Sequence, residues 1–211
     1  MTPAGATLTV MSFLGATLST PRLWLEPSSA VLAAEALDFL RRNDAHLAPW
    51  DPPRPDDLYT LERQQRWLLD DIAALSAGSG CRWWLRARRT DGDDAAPGTA
   101  PLIGHLRFSQ IARGPFQSAM LGYAVDHQAQ GQGLMHEALA AAIAVMFGPA
   151  VHLHRIQANV RPDNTRSLRL LQRLGFEREG LAREYLYIDG AWRDHAMTAL
   201  RNPAFDGPPI G

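Results

Sequence analysis

The chain carries a single cysteine, Cys81, among 211 residues. One thiol closes no internal disulfide, so the fold cannot rest on covalent cross-links. Cys81 reads as a reduced, half-buried thiol. Long apolar runs are also missing: no stretch of about 18 apolar residues occurs, and no helical membrane span is expected. Residues 1–20 lack a positively charged start, and Gly5 and Gly15 interrupt their apolar character. They read as a ragged start leading into a first strand rather than a signal peptide, and the expectation is a cytoplasmic protein. Charge of one sign is absent too, with 21 basic against 22 acidic residues and a formal net charge of −1. No global field then points to nucleic acid or to an anionic membrane, and a polyanionic ligand must be held by local geometry. His152 and His154 find no third ligand at a credible spacing, so no metal is assigned.

What is present is ordinary for a soluble globular protein: 46% apolar and 20% charged residues, enough for one domain with a full core. Arg22–Leu25 reads as an early strand. Ser28 or Ser29 could cap a helix to about Arg42, with Val31, Leu32, Ala36, Phe39 and Leu40 on its apolar side. Pro49, Pro52, Pro53 and Pro55 then exclude helix and strand alike. Thr60 could cap a helix over 61–77 that Gly78-Ser79-Gly80 ends. Strands are expected at 81–88, 102–109, 118–125 and 154–160, with a polar loop at 89–101. Asp163 or Asn164 could cap a helix stopping at Gly175, with Leu168, Leu171 and Leu174 buried. Asp189-Gly190 between two β-rich runs is a strong hairpin signal. The order implies a mixed α/β (α+β) single domain.

One stretch carries more than fold. Gln128-Ala129-Gln130-Gly131-Gln132-Gly133-Leu134-Met135 follows an apolar strand and opens a helix reaching Phe147. The first N–H groups of a helix have no intrahelical acceptor and lie at the positive end of its dipole, so a strand that turns through glycines into a helix is an anion site. Gly131 and Gly133 allow positive φ and a close approach of phosphate to the main chain. About 30 residues on come Asn159, then Asn164-x-x-Ser167, then Gly175-Phe176. Both pieces, in this order and on these elements, resemble the acetyl-coenzyme A binding core of the GNAT superfamily of N-acetyltransferases. The resemblance covers roughly residues 20–200. It narrows toward ribosomal-protein N-terminal-alanine acetyltransferases through Gln130 to Met135, His154-Arg155-Ile156, Leu174 to Glu177, the run from Asp189 to His195, and His46-Leu47-x-Pro49-Trp50-Asp51-Pro52.

The resemblance implies a single GNAT-type domain over 19–202, preceded by an unsupported extension at 1–18 and followed by a tail at 203–211. Its mixed central sheet should be splayed between the family's fourth and fifth strands, with helices on both faces. It implies acetyl-CoA as co-substrate. The pyrophosphate would lie on the amides of Gln130, Gly131, Gln132, Gly133, Leu134 and Met135, near Gln128. Pantetheine would run along Tyr123 and Val125, with Asn159, Asn164 and Ser167 opposite. It further implies Glu184, just before Tyr185-Leu186, as the general base, and Ser167 as proton donor to the leaving thiolate. Many family members place a tyrosine at the position of Leu171, and this chain departs from them there. Trp50 and Tyr185 are expected to wall the acceptor groove. The acceptor implied is the N-terminal α-amine of a protein, a ribosomal protein starting with Ala or Ser. No nucleic-acid or membrane partner is expected, and the chain would be a monomer or a weak homodimer. An α-amine has a pKa near 8, so roughly a tenth or more is neutral at pH 7, against about one lysine amine in 2,500. The difference, on the order of 3.5 kcal/mol, lets a modest base suffice.

Plainer readings remain beside these. Ser167 could be a first-turn hydroxyl bonded to backbone, and Glu184 a solvated strand carboxylate. Asn159 and Asn164 could only pair an edge and cap a helix. Trp192-Arg193-Asp194-His195 reads as a strand whose Asp194 and His195 face opposite sides rather than as a catalytic pair. Two other functions stay open. One is acetylation of a small amine, an antibiotic or polyamine, for which Asp51, Asp56, Asp57 and Glu62 leave room. The other is a coenzyme A-binding module without transfer, suggested by Leu171.

Overall fold

The computed structural model describes residues 14–88 and 100–207. Residues 1–13, 89–99 and 208–211, which hold most of the expected extension, most of the polar loop and the end of the tail, lie outside the described residues. The strands are β1 (Leu18–Ser19), β2 (Leu23–Pro27), β3 (Cys81–Ala87), β4 (Leu102–Ala112), β5 (Ser118–Val125), β6 (Arg155–Val160), β7 (Glu177–Ile188) and β8 (Ala191–Arg201). They form one mixed sheet in the order β1-β2-β3-β4-β5-β6-β8-β7. The helices are α1 (Ala33–Arg42), α2 (Asp44–Leu47), α3 (Leu61–Ser76), α4 (Leu134–Phe147) and α5 (Thr165–Arg173). None is long and apolar enough to cross a membrane.

Two adjacent tryptophans show how both faces of the sheet are covered. Successive strand residues point to opposite sides. Trp83 accordingly packs with Phe108, Leu139 and Met146, the last two from α4, while Trp84 packs with Phe39 of α1 and Leu68 of α3. Burying each large apolar side chain contributes roughly 1.5–3 kcal/mol, so the paired cores account for why the sheet is fixed between helices. Cys81 lies in the first core, where burial pushes its thiol up to about 12 and leaves it unreactive.

The feature that positions the site is the junction of β5 with β6, the one parallel pair among the described residues. Pairing is confined to Ser118↔Arg155, Ala119↔Ile156 and Met120↔Gln157. Beyond it the strands part, so Leu121–Val125 keeps its β4 partner on one side and has no ladder on the other. This is the expected splay. β7 and β8 close a hairpin in which Asp189 (φ +51°) and Gly190 (φ +72°) form the two-residue turn. Positive φ at both positions matches the twist of the flanking strands. β7 is the outer edge, blunted by alternating charges and by register shifts at 178–180 and 182–186.

Several local expectations are corrected. Val31, expected on the apolar side of a helix, is 83% exposed, because Ala30–Leu32 is a 3-10 turn out of phase with α1. Ser29 stands at its start without a side-chain cap bond. Ala48–Trp50 also forms a 3-10 turn despite the prolines, since Pro49 sits in the first turn, where its missing N–H is not needed. Thr60 and Asn164 do cap, accepting from the N–H groups of Arg63 and Ser167. Leu171, by contrast with a site position, is buried in the main core at 1% exposure.

Candidate active site

The splay opens into a cavity of about 1300 Å³. One wall is β5 from Leu121 to Val125; the facing wall is the end of β6 and the start of α5. The bend at Gly131 and Gly133 also lines it. Both glycines adopt the left-handed region, φ +76° and +75°, and Gly133 is the N-cap of α4 with no side chain to satisfy the helix amides. Those amides therefore face the cavity with no internal acceptor. A Cβ at Gly131 would meet nothing within 4 Å, so open space lies against the main chain there.

The bend is held from outside. Glu137 accepts from Thr20 Oγ1 (2.6 Å), from the Arg22 main-chain N–H (2.8 Å) and from Arg22 Nε (2.6 Å). Arg22 also donates to the Gln132 carbonyl at 2.9 Å. Burial would raise the Glu137 carboxyl, but the donors from Thr20 and Arg22 outweigh it and hold it below its ordinary value. Gln132 Nε2 donates to the Gln128 carbonyl (3.0 Å), and the Gln128 N–H to Asp126 Oδ1 (2.9 Å), so both glutamines brace the turn and do not line the cavity. Asp126, buried, also accepts from Arg42 Nε (2.8 Å) and Asn43 Nδ2 (3.1 Å), tying the end of α1 to the bend.

The other expected residues fall as follows. Tyr123, Val125, Gln130, Leu134, Met135, Asn159, Asn164, Ser167 and Trp50 line the cavity. Gln130 Nε2 donates to His46 Nε2 at 2.8 Å and its Oε1 accepts from Arg166, bridging α2 and α5. Asn159 Nδ2 donates to the Tyr185 hydroxyl (3.0 Å), while its Oδ1 is buried and lacks a partner among the described residues. The Tyr123 hydroxyl meets Ser167 Oγ at 2.6 Å across the splay. Trp50 is covered by the Arg161 guanidinium, 5.1 Å from the ring centroid, and Arg161 donates to the Pro49 carbonyl at 2.8 Å. Glu184 and Tyr185 lie outside the lining. Glu184 is exposed on the β7 bulge with φ +47°, its N–H donating to Asp194 Oδ1 at 2.9 Å. His195 is buried and Asp194 serves that bulge, so the two do not meet as a pair.

Nothing in the sequence singles out His105, which also lines this cavity. There His105 faces Trp84 (5.1 Å) and Phe39 (5.9 Å), with Nδ1 buried and unpartnered among the described residues. Burial first, and the positive charges of Arg82 and Arg107 second, hold it neutral, well below 6.5. Among the described residues no group of three His, Cys, Asp or Glu side chains converges as metal donors would.

An unpaired strand edge, an orphaned amide oxygen and a bend of free N–H groups along one slot suit an extended thioester ending in a diphosphate. The fold and this slot define an acyl-coenzyme A-dependent N-acyltransferase. The acetyltransferase (GNAT) domain family matches residues 22–177, and the chain belongs to that family. It is an N-acetyltransferase with acetyl-CoA as co-substrate. It is similar to the [ribosomal protein uS5]-alanine N-acetyltransferase of Escherichia coli (strain K12), with 52% identity over 168 residues, 79% of this chain and 80% of that one. The crystal structure of ribosomal-protein-S5-alanine acetyltransferase from Vibrio fischeri superposes with a TM-score of 0.81 at 31% identity, covering 91% of this chain and all of that one. Mycobacterium smegmatis RimJ in complex with CoA-disulfide gives 0.80 at 29% identity, over 93% and 92%.

Proposed function

We propose that this chain acetylates the N-terminal α-amine of a ribosomal protein, one starting with Ala or Ser. The observation that carries this reading is the 52% identity, over most of both chains, to an enzyme named for such an acceptor. The same acceptor would make the reaction cytoplasmic. Coenzyme A would lie along the β5 edge, its diphosphate on the N–H groups at the start of α4 and its pantetheine opposite Asn159. The acceptor chain would enter past Trp50 and the Tyr185 side of the β7–β8 hairpin.

In this reading Glu184 takes the proton of the attacking amine, directly or through water. Glu184 holds a φ of +47° on the β7 bulge, and backbone outliers of this kind concentrate at functional sites, which supports the role. Attack of nitrogen on the thioester carbon gives a tetrahedral oxyanion, and its collapse breaks the C–S bond and leaves the amide. Ser167 stands on the first turn of α5 with its N–H fixed on Asn164 Oδ1 (3.1 Å), and its hydroxyl would donate to the departing sulfur.

Thiol release from acetyl-CoA should be measured with peptides beginning Ala, Ser, Met and Thr, with spermidine as a competing small amine. Release is expected with the Ala or Ser peptide in preference to spermidine. Silence on the whole peptide panel would reject the reading, and turnover of spermidine alone would replace it with the small-amine one. Every one of the 21 basic residues is arginine, so no lysine of the enzyme competes as acceptor.

A further inference from the structure

Across the splayed slot the hydroxyls of Tyr123 on β5 and Ser167 on α5 meet, 2.6 Å apart. A phenol has one proton to give. Its two possible acceptors here are Ser167 Oγ at 2.6 Å and the Ser167 carbonyl at 3.5 Å. The shorter contact is that of a good O–H···O bond; the longer lies beyond the ordinary range. Donation to Oγ leaves the serine's own proton free, and both residues line the cavity into which it can turn.

We propose that Tyr123 is a positioning residue for acyl transfer: its hydroxyl donates to Ser167 Oγ and thereby turns the serine O–H toward the sulfur that leaves. This rests on reading the slot as the acyl-transfer site with Ser167 beside the thioester. Burial pushes the Tyr123 phenol up to about 12, against a weaker opposing effect of Ser167. The phenol is therefore a permanent donor at neutral pH. Passing its proton through Ser167 to a thiolate, whose acid titrates near 8.5, would be uphill. The pair accordingly acts by hydrogen bonding. When the C–S bond breaks, the electron pair goes to sulfur, Ser167 donates to the developing charge, and the thiolate takes its proton from solvent afterwards. Neither Tyr123 nor Ser167 changes protonation state. A tandem donor is also stronger than an isolated serine, because each bond polarises the next.

The test is a double-mutant cycle on the full chain with Tyr123→Phe, Ser167→Ala and both. The acceptor is whichever of the peptides or spermidine the wild type acetylates, since sulfur departs in the same way from each. Ser167→Ala should lower kcat about 10-fold, the loss of one hydrogen bond to a charged atom, and Tyr123→Phe, which frees the serine O–H to turn away from sulfur, by up to about the same factor, each with KM for acetyl-CoA within about twofold. The double variant should be no slower than Ser167→Ala. Losses that multiply, a Tyr123→Phe enzyme with wild-type kcat, or a change confined to KM would each overturn the proposal. If Tyr123→Phe does not fold, Ser167→Ala alone decides: wild-type kcat in that variant refutes the pair. A shift of acceptor from peptide to spermidine would reject only the proposed acceptor, and inactivity on every amine would reject both.

Discussion

Gly131 and Gly133 hold backbone conformations that cost an L-residue about 1–2 kcal/mol. An added methyl group would meet open space at Gly131 and only the Arg22 guanidinium, at 3.6 Å, at Gly133. Gly131→Ala therefore tests conformation without a clash. It should raise KM for acetyl-CoA by roughly 5- to 30-fold, leaving kcat at saturation nearly unchanged. His105 supports a second prediction, of pH dependence. Its folded pKa lies well below 6.5, so the unfolded chain binds a proton that the folded chain does not. The contribution to stability is fully present above pH 6.5 and is lost as pH falls toward the lowered value, with a slope of up to about 1.4 kcal/mol per pH unit. Denaturant midpoints at pH 7 and 5.5 should separate more for the wild type than for His105→Gln; equal separations would refute the account. The glycines were legible in the sequence because positive φ is a local requirement. His105 was not, since its neutrality depends on Trp84, Arg82 and Arg107 folding around it.

The helix starts show what short-range chemistry can and cannot announce. Thr60 and Asn164 were readable as caps because each bond spans three residues. Asn164→Ala should cost about 1 kcal/mol and also slow turnover, because the same carboxamide fixes the Ser167 N–H; thermal melting and kcat together check it. Val31 shows the limit, since helical periodicity does not reveal that a helix opens with a 3-10 turn. The start of α4 depends on a long-range clamp. An isolated surface ion pair like Arg22–Glu137 contributes little, about 0–1 kcal/mol. Here the same carboxylate also takes the Thr20 hydroxyl and a main-chain N–H, and the same guanidinium takes the Gln132 carbonyl. Arg22→Ala should raise KM for acetyl-CoA roughly 3- to 10-fold with kcat preserved. An unchanged KM would show that the bend holds itself.

At the scale of the molecule, the slot exists because β5 and β6 pair over three residues and then part, while the proline-rich segment is pinned to the far wall by Arg161. Arg161→Ala removes both the cation–π contact to Trp50 and the bond to the Pro49 carbonyl. It should raise KM for the amine acceptor more than KM for acetyl-CoA in the same assay; the reverse order would place the Trp50 wall on the cofactor side. By itself the sequence determined the glycine bend, the helix caps, the Asp189-Gly190 turn and the order of elements, all set by interactions over a few residues or by side-chain periodicity. Only the tertiary structure decided that Tyr123 meets Ser167 across 44 positions, that Arg22 clamps Glu137 across 115, and that Glu184 stands on an exposed bulge outside the cavity lining. These depend on which strands pair, over how many residues, and where the ladder stops, and such pairings are settled by packing between elements distant in the chain.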